Sequence, residues 1–287
     1  MSIPFEEVRL RLPHIELAAH LYGPEDGRPV IALHGWLDNA ASFARLAPKL
    51  PGLRIVALDF AGHGHSEHRP PGVSYAIWDY VHDVLQVAEQ FGWQSFSLLG
   101  HSMGAIVSVL LAGAMPERVE RLALIDGLMP YTGEADSAPQ KLGEALRAQL
   151  ALVGKRKPVY AEFERAVRAR MQGVGAVSHE AAELLAQRGL MPVPGGYTWR
   201  TDSRLTLPSP LRLTQAHALA FVRALQCPTR LALAEQGMLQ AQPQLGALLA
   251  GLPLETVRLA GGHHLHLDDE GGAQLVADCF KAFLQAS

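Results

Sequence analysis

The sequence predicts an α/β protein with a mostly parallel, doubly wound sheet and an inserted helical cap. Short apolar runs typical of buried strands alternate with helical patterns up to residue 127 and again from about residue 214. Such alternation is typical of a parallel sheet. Between these regions the strand pattern disappears and helical patterns remain. We therefore expect a core formed by residues 1–127 and 214–287 and a helical cap formed by residues 128–213.

The first core segment begins with a hairpin and continues with four more strands. Residues 8–12 and 15–22 alternate polar and apolar side chains, which predicts antiparallel strands at a sheet edge. A helix from about Tyr75 to Phe91 is expected to stop at Gly92. The other predicted elements are strands at 30–34, 54–58, 96–99 and 121–125 and helices near 42–50 and at 105–114.

The rest of the chain begins with helices and then returns to alternating strands and helices. In the cap we predict helices at Lys141–Val153, Val159–Met171 and His179–Gln187, followed by a break at Pro192–Gly196. In the second core segment we predict strands at Thr229–Ala234 and Leu254–Leu259 and a C-terminal helix at Ala273–Leu284.

Composition and charge restrict the function further. The chain has 287 residues, of which 48% are hydrophobic, which is enough for one large α/β core. A formal net charge of −3 gives no electrostatic basis for binding nucleic acid. The first residues lack a signal-peptide pattern, and no apolar run reaches the ~20 residues of a membrane span. We expect a cytoplasmic protein without an integral membrane segment, either a monomer or a homodimer.

The run Gly100-His101-Ser102-Met103-Gly104 joins a predicted strand to a predicted helix. A G-x-S-x-G turn in this setting is typical of a nucleophile elbow, in which glycines avoid collisions with neighbouring backbone. The helix that follows points its amides and positive dipole end at the reacting oxygen. We therefore predict that Ser102 is a catalytic nucleophile.

A serine hydroxyl needs a base to take its proton, and in enzymes with such an elbow the base comes late in the chain. His263 follows two glycines directly after a predicted strand and is our candidate for the base. His264 and His266 are expected to be structural neighbours. A surface histidine loop and a metal site built on the H-x-H spacing are the alternatives.

The acid that orients the base has two candidates. Asp126 and Glu235 each follow or end a predicted strand, as Ser102 and His263 do. Because the carboxyl ends of parallel strands meet at one edge of a sheet, either carboxylate could reach the histidine. We favour Asp126 and keep Glu235 as the alternative, with Asp202 as a more remote one.

The oxyanion of a tetrahedral intermediate needs two hydrogen-bond donors. One should be the backbone amide of Met103, which follows the nucleophile. The run His34-Gly35-Trp36 follows another predicted strand, and we expect the amide of Trp36 to be the second donor. Further candidates for contact with a substrate are His34, Gly35, Leu128 and Trp199.

Four motifs resemble the α/β-hydrolase superfamily over almost the whole chain: H-G-W at 34–36, D-x-x-G-H-G-x-S at 59–66, G-H-S-M-G at 100–104 and G-H at 262–263. The runs at 34–40 and 196–205 are more loosely similar to its serine hydrolase-like subgroup. The resemblance implies the α/β-hydrolase fold, triad chemistry and hydrolysis, but no particular substrate. Members of the superfamily usually carry an aspartate near position 237, where this chain has Gly237, so the acid stays open.

These inferences predict a serine hydrolase that cleaves carboxylic esters of small to medium, largely apolar acyl groups through an acyl-enzyme. Its partner is a small-molecule ester, and no cofactor or metal is required. A C–C bond hydrolase or a lactonase with the same triad is an alternative, and so is a non-catalytic protein that binds a small ligand. Three arginines in the cap, Arg165, Arg168 and Arg170, are expected to form a solvated face, or else to bind an anionic substrate group.

Overall fold

A computed structural model describes residues 5–152, 156–241 and 245–286 of the chain. Eight strands of this part form one sheet in the order β1-β2-β4-β3-β5-β6-β9-β10, and β7 and β8 form a separate hairpin. The strands are β1 Glu6–Arg11, β2 Glu16–Tyr22, β3 Arg28–Leu33, β4 Leu53–Leu58, β5 Phe96–His101, β6 Val119–Ile125, β7 Leu190–Val193, β8 Gly196–Trp199, β9 Thr229–Gln236 and β10 Glu255–Gly262.

The sheet is antiparallel only at one edge, where β1 pairs with β2 and β2 pairs with β4. The other pairs are parallel, so β3, β5, β6, β9 and β10 all end at the same edge. The fully apolar stretch Val30–Leu33 of β3 is buried, as expected for a strand covered on both faces. The structure confirms the α/β class and the mostly parallel sheet.

Helices cover both faces of the sheet. Side chains of α1, α2 and α6 share a buried cluster on one face, and α9 packs with Phe43 on the other. None of the helices in the described ranges combines the length and apolar character needed to cross a membrane. The helices are α1 Asp79–Gln90, α2 Met103–Ala114, α3 Ala138–Leu152, α4 Phe163–Met171, α5 His179–Gly189, α6 Gln215–Arg223, α7 Leu245–Leu249, α8 Leu265–Asp268 and α9 Glu270–Gln285.

Two predicted helices of the first core segment differ in the structure. The helix expected near 42–50 consists of two short 3₁₀ turns, Ala40–Phe43 and Ala47–Lys49. Pro48 lies within the second turn, and a proline there cannot donate the backbone hydrogen bond that an α-helix needs. The helix expected from Tyr75 begins at Asp79. Val153, the last residue of a predicted cap helix, lies outside the described residues.

The segment between β6 and β9 carries helices α3, α4 and α5, as predicted, and also a hairpin that the sequence analysis missed. Leu190–Val193 pairs with Gly196–Trp199, so the expectation that strands are absent from this segment was wrong. Tyr160 pairs with Tyr197 of the hairpin, so α4 begins at Phe163 rather than Val159. Side chains of α4, α5 and the hairpin share their own buried cluster. That residues 128–213 act as a cap stays a prediction.

Candidate active site

Ser102 stands between β5 and α2 in a strained turn. Its φ of 51° and ψ of −114° lie outside the regions that most residues adopt. A Cβ at Gly100 would lie 2.6 Å from the backbone of Ala105, and a Cβ at Gly104 would lie 1.9 Å from the carbonyl oxygen of Leu33. Both positions of the G-x-S-x-G pattern therefore leave room only for glycine, and Ser102 sits at the N-terminus of α2.

The structure brings Ser102, His263 and Asp126 together from three separate strand ends. Ser102 Oγ lies 2.9 Å from His263 Nε2, and His263 Nδ1 lies 2.5 Å from Asp126 Oδ2. His263 and Asp126 are buried, whereas Ser102 is partly exposed. Because one ring nitrogen faces the hydroxyl and the other faces the carboxylate, the imidazole is oriented to accept a proton from Ser102.

The carboxylate of Asp126 occupies space that Gly237 leaves free. Asp126 directly follows the neighbouring strand β6, and the backbone N–H of Met238 donates to its Oδ2 over 2.9 Å. A Cβ at Gly237 would lie 2.3 Å from the same oxygen. A larger residue at 237 and the present position of Asp126 are therefore mutually exclusive.

The other two candidate acids lie elsewhere. Glu235 is exposed near the end of β9, and within the described ranges its carboxylate has no hydrogen bond or ion pair. Asp202 accepts a hydrogen bond from the hydroxyl of Tyr75 and pairs with Arg204 at 2.6 Å. Burial alone would raise the pKa of Asp202, but hydrogen bonds from Arg204 and Tyr75 hold this pKa at about 2. Neither carboxylate contacts His263.

A cavity of about 570 Å³ opens beside Ser102. Gly35, Trp36 and Met103 line it together with Ser102 and His263, so the two expected oxyanion donors border the same space as the nucleophile. The indole N–H of Trp36 donates to the carbonyl oxygen of Leu205 over 3.0 Å, which fixes the ring at the cavity wall. Most other wall residues are apolar, among them Ile77, Trp78, Ile106, Pro130, Leu207 and Met238.

Three of the residues expected to contact a substrate do not line this cavity. His34 is fully buried, and its ring bridges the backbone: Nδ1 lies 2.7 Å from the carbonyl oxygen of Gly35, and Nε2 accepts from the N–H of Phe60. Leu128 packs in the main core. Trp199 lines a second cavity of about 390 Å³, which is also bordered by Trp36. Their placement supports structural roles for His34 and Leu128.

A buried ionic cluster behind His263 was missed by the sequence analysis. Asp38 accepts a hydrogen bond from Arg170 over 2.6 Å at one oxygen and lies 3.0 Å from His264 Nε2 at the other. Arg170 was expected on a solvated face, but its side chain is 9% exposed. The partners are 132 residues apart in sequence, so no local pattern could have identified the pair.

The same cluster is relevant to the alternative that the late histidines belong to a metal site. Asp38, His101 and His264 each offer one ligand atom, and these atoms lie within 4.8 Å of one another. The guanidinium of Arg170 already neutralises Asp38 and lies 3.3 Å from His264 Nε2. A divalent cation would face this positive charge in a buried environment, so the donor set fits an ion pair better than a metal centre.

Comparisons with known proteins identify the family of the chain. A family model described as the alpha/beta hydrolase fold matches residues 28–173, about half of the chain. A serine hydrolase-like protein from Danio rerio is 31% identical over 97% of this chain and 88% of its own length.

Two solved structures are similar over nearly the whole chain. One is a hypothetical protein from Pseudomonas aeruginosa PAO1, with 77% identity, a TM-score of 0.96 and coverage of 98% of this chain and 100% of that chain. The other is a thioesterase domain from the curacin biosynthetic pathway, with 26% identity, a TM-score of 0.82 and coverage of 96% and 99%. The chain thus belongs to the α/β-hydrolase superfamily and, within it, to the serine hydrolase-like subgroup.

Proposed function

We propose that the protein is a serine hydrolase that cleaves carboxylic esters of small to medium, largely apolar acyl groups through an acyl-enzyme. The observation that supports this most directly is the hydrogen-bonded series from Ser102 through His263 to Asp126, with separations of 2.9 and 2.5 Å. Ser102 and His263 line a largely apolar cavity of about 570 Å³, which is within the usual size range of small-molecule sites.

In the proposed reaction the oxygen of Ser102 attacks the ester carbonyl carbon while His263 Nε2 takes the hydroxyl proton. Asp126 stabilises the imidazolium, and the amides of Trp36 and Met103 bind the oxyanion. The intermediate expels the alkoxide, which receives the proton from His263, and an acyl-Ser102 ester remains. His263 then takes a proton from water, and the hydroxide attacks the acyl carbon. This second intermediate expels Ser102 Oγ, which receives the proton from His263, and the carboxylic acid leaves.

The segment 128–213 is proposed to act as a cap over this site. Several wall residues of the Ser102 cavity come from it, including Pro130, Tyr131, Val174, Leu207 and Leu211. A cover of this kind excludes water and sets the size of the acyl group. Thioesters belong in the substrate panel because one solved relative is a thioesterase domain.

The test is turnover of p-nitrophenyl esters with short to long acyl chains, and of matching thioesters, by wild type and three variants. Ser102→Ala should abolish turnover and labelling by a fluorophosphonate. Asp126→Asn should lower kcat by roughly 10³–10⁴-fold, because the histidine loses its orienting acceptor. Glu235→Gln should stay within about twofold of wild type, since its carboxylate is exposed and has no contact with His263.

The outcomes separate the alternatives. Loss of turnover in Glu235→Gln with activity retained in Asp126→Asn would assign the acid to Glu235. Turnover of lactones or vinylogous diketones in preference to esters would favour the lactonase or C–C hydrolase. An inert wild type whose Ser102 resists the fluorophosphonate would favour a non-catalytic ligand-binding protein.

A further inference from the structure

Arg170 lies in the segment between β6 and β9, and its positively charged guanidinium is buried next to the proposed active site. It lies near the end of α4, and besides Asp38 its guanidinium donates to the carbonyl oxygen of Gly175 over 3.2 Å. The side chains of Asp38 and Arg170 are 1% and 9% exposed, so the pair is screened little by solvent. One arginine therefore joins α4, the loop after α4 and the loop after β3.

Each of Arg170's partners lies next to a residue of the proposed catalytic machinery, in sequence or in space. Asp38 is two residues from Trp36, and its backbone N–H donates to the carbonyl oxygen of Gly35, closing the turn that carries the expected oxyanion donor. His264 directly follows His263 and is held by Asp38 at 3.0 Å. Burial alone would raise the pKa of the Asp38 carboxyl, but the charge of Arg170 and the contact with His264 hold it well below its usual range.

At Gly175 the loop after α4 closely approaches the rings of His263 and His264. Its φ is +62°, which favours glycine, and a Cβ there would lie 2.8 Å from His264 and 2.9 Å from His263. The bond from Arg170 to the carbonyl oxygen of Gly175 holds this loop at that close approach. Its neighbour Val174 lines the Ser102 cavity.

We propose that Arg170 is a positioning residue of the hydrolase, which fixes the Trp36 loop and His263 in their reactive arrangement from the inserted segment. This inference rests on the proposed function. Arg170 lines the second cavity and not the one that holds Ser102, so it acts through Asp38, His264 and Gly175 rather than on the substrate. In this arrangement catalysis depends on the correct packing of α4 against the rest of the protein.

The first experiment compares Arg170→Met, Arg170→Lys and Arg170→Ala with the control Arg168→Met. Arg168 lies on the same helix, but it is 72% exposed and pairs with Glu164 one turn away. Arg170→Met should lower both kcat for an ester and the rate of fluorophosphonate labelling by roughly 30–100-fold, because small displacements of reacting groups cost about this much. KM should change less than kcat, and Arg168→Met should behave as wild type.

Two further measurements separate positioning from a structural role. Free guanidinium ion should restore part of the activity of Arg170→Ala, whereas the same concentration of sodium should not. In the double variant Asp38→Asn/Arg170→Met the buried charge is gone, so thermal stability should recover while kcat stays low.

Recovery of kcat together with stability in the double variant would show that Arg170 only neutralises Asp38 and would overturn the proposal. Wild-type kcat in Arg170→Met would overturn it as well, with the proposed function intact. A wild type that neither turns over esters nor reacts with the fluorophosphonate would overturn both proposals.

Discussion

At the scale of single residues, Gly237 decides where the acid of the site can come from. The structure fills the space beside Gly237 with the carboxylate of Asp126, which reaches His263 from the neighbouring strand. The missing side chain at one position and the carboxylate at the other therefore form one compensating pair. The sequence alone left Asp126 and Glu235 open, because both stand at strand ends and strand order is not visible in a sequence.

This pairing predicts the effect of a single methyl group. In Gly237→Ala the new Cβ would lie 2.3 Å from Asp126 Oδ2, so the carboxylate must move away from His263. We expect kcat for an ester to fall by roughly 10–100-fold, with the protein still folded, because the orientation of the histidine is lost rather than the core. Steady-state kinetics and circular dichroism measure the two effects.

Gly246→Ala is the matched control, since a Cβ at Gly246 meets no described atom within 4 Å. It should keep wild-type kinetics. Equal activity of the two alanine variants would contradict the pairing of Gly237 with Asp126.

At the scale of secondary-structure elements, a buried arginine fastens α5 to the antiparallel edge of the sheet. Arg188 donates to both oxygens of Asp59, which follows β4, and to Glu7 of β1. Asp59 is fully buried and also accepts the backbone N–H groups of Ala40 and His65. Burial would raise the pKa of Asp59, but Arg188 keeps it below its usual value.

Removing this arginine should loosen α5 from the sheet. Arg188→Met leaves the Asp59 carboxylate buried without its counter-ion, and breaking such a pair costs about 3–5 kcal/mol. Urea unfolding at neutral pH measures this loss. Arg168→Met, which removes an exposed pair within α4, should leave the unfolding midpoint nearly unchanged, and a similar midpoint for both variants would contradict the argument.

The same scale shows why some elements could be predicted and others could not. The buried strands were recognisable because both of their faces are apolar, as in Val30–Leu33. The hairpin of β7 and β8 was missed because its strands have four residues each, and because Pro192 lies within β7 and Pro194 directly follows it; prolines usually interrupt regular structure. The 3₁₀ turns at 40–49 resemble an amphipathic helix in their apolar spacing, and only Pro48 argues against one.

At the scale of the whole molecule, the site depends on contacts between distant parts of the sequence. The elbow could be found from five consecutive residues because its glycines are required locally. The Asp38–Arg170 pair could not be found in this way, since it exists only after the inserted segment has packed on the sheet. Motif reading therefore identifies the reacting groups more readily than the groups that hold them in place.

Buried histidines give the whole molecule a predictable dependence on pH. Burial lowers the pKa of His20 to about 4 and those of His63 and His266 to about 3. In the unfolded chain these rings take up protons near pH 6.5, so between pH 6.5 and 4 the unfolded state binds more protons than the folded state. Their stabilising effect is complete above pH 6.5 and is lost as the pH falls, at about 1.4 kcal/mol per pH unit for each ring.

Burial also lowers the pKa values of His34 and His101, so the free energy of unfolding should fall by at least about 4 kcal/mol per pH unit between pH 6 and 5, the share of the three rings alone. The buried carboxylates with lowered pKa values, such as Asp59, act in the same direction but only below about pH 4, so the two effects occupy different ranges. Urea unfolding at half-unit pH intervals measures the slope.

His63→Asn retains an amide that can donate to the carbonyl oxygen of Ala61 as the imidazole Nδ1–H does, and it should reduce the slope by about 1.4 kcal/mol per pH unit. A wild-type slope in His63→Asn would mean that this ring is protonated in the folded protein, contrary to its complete burial.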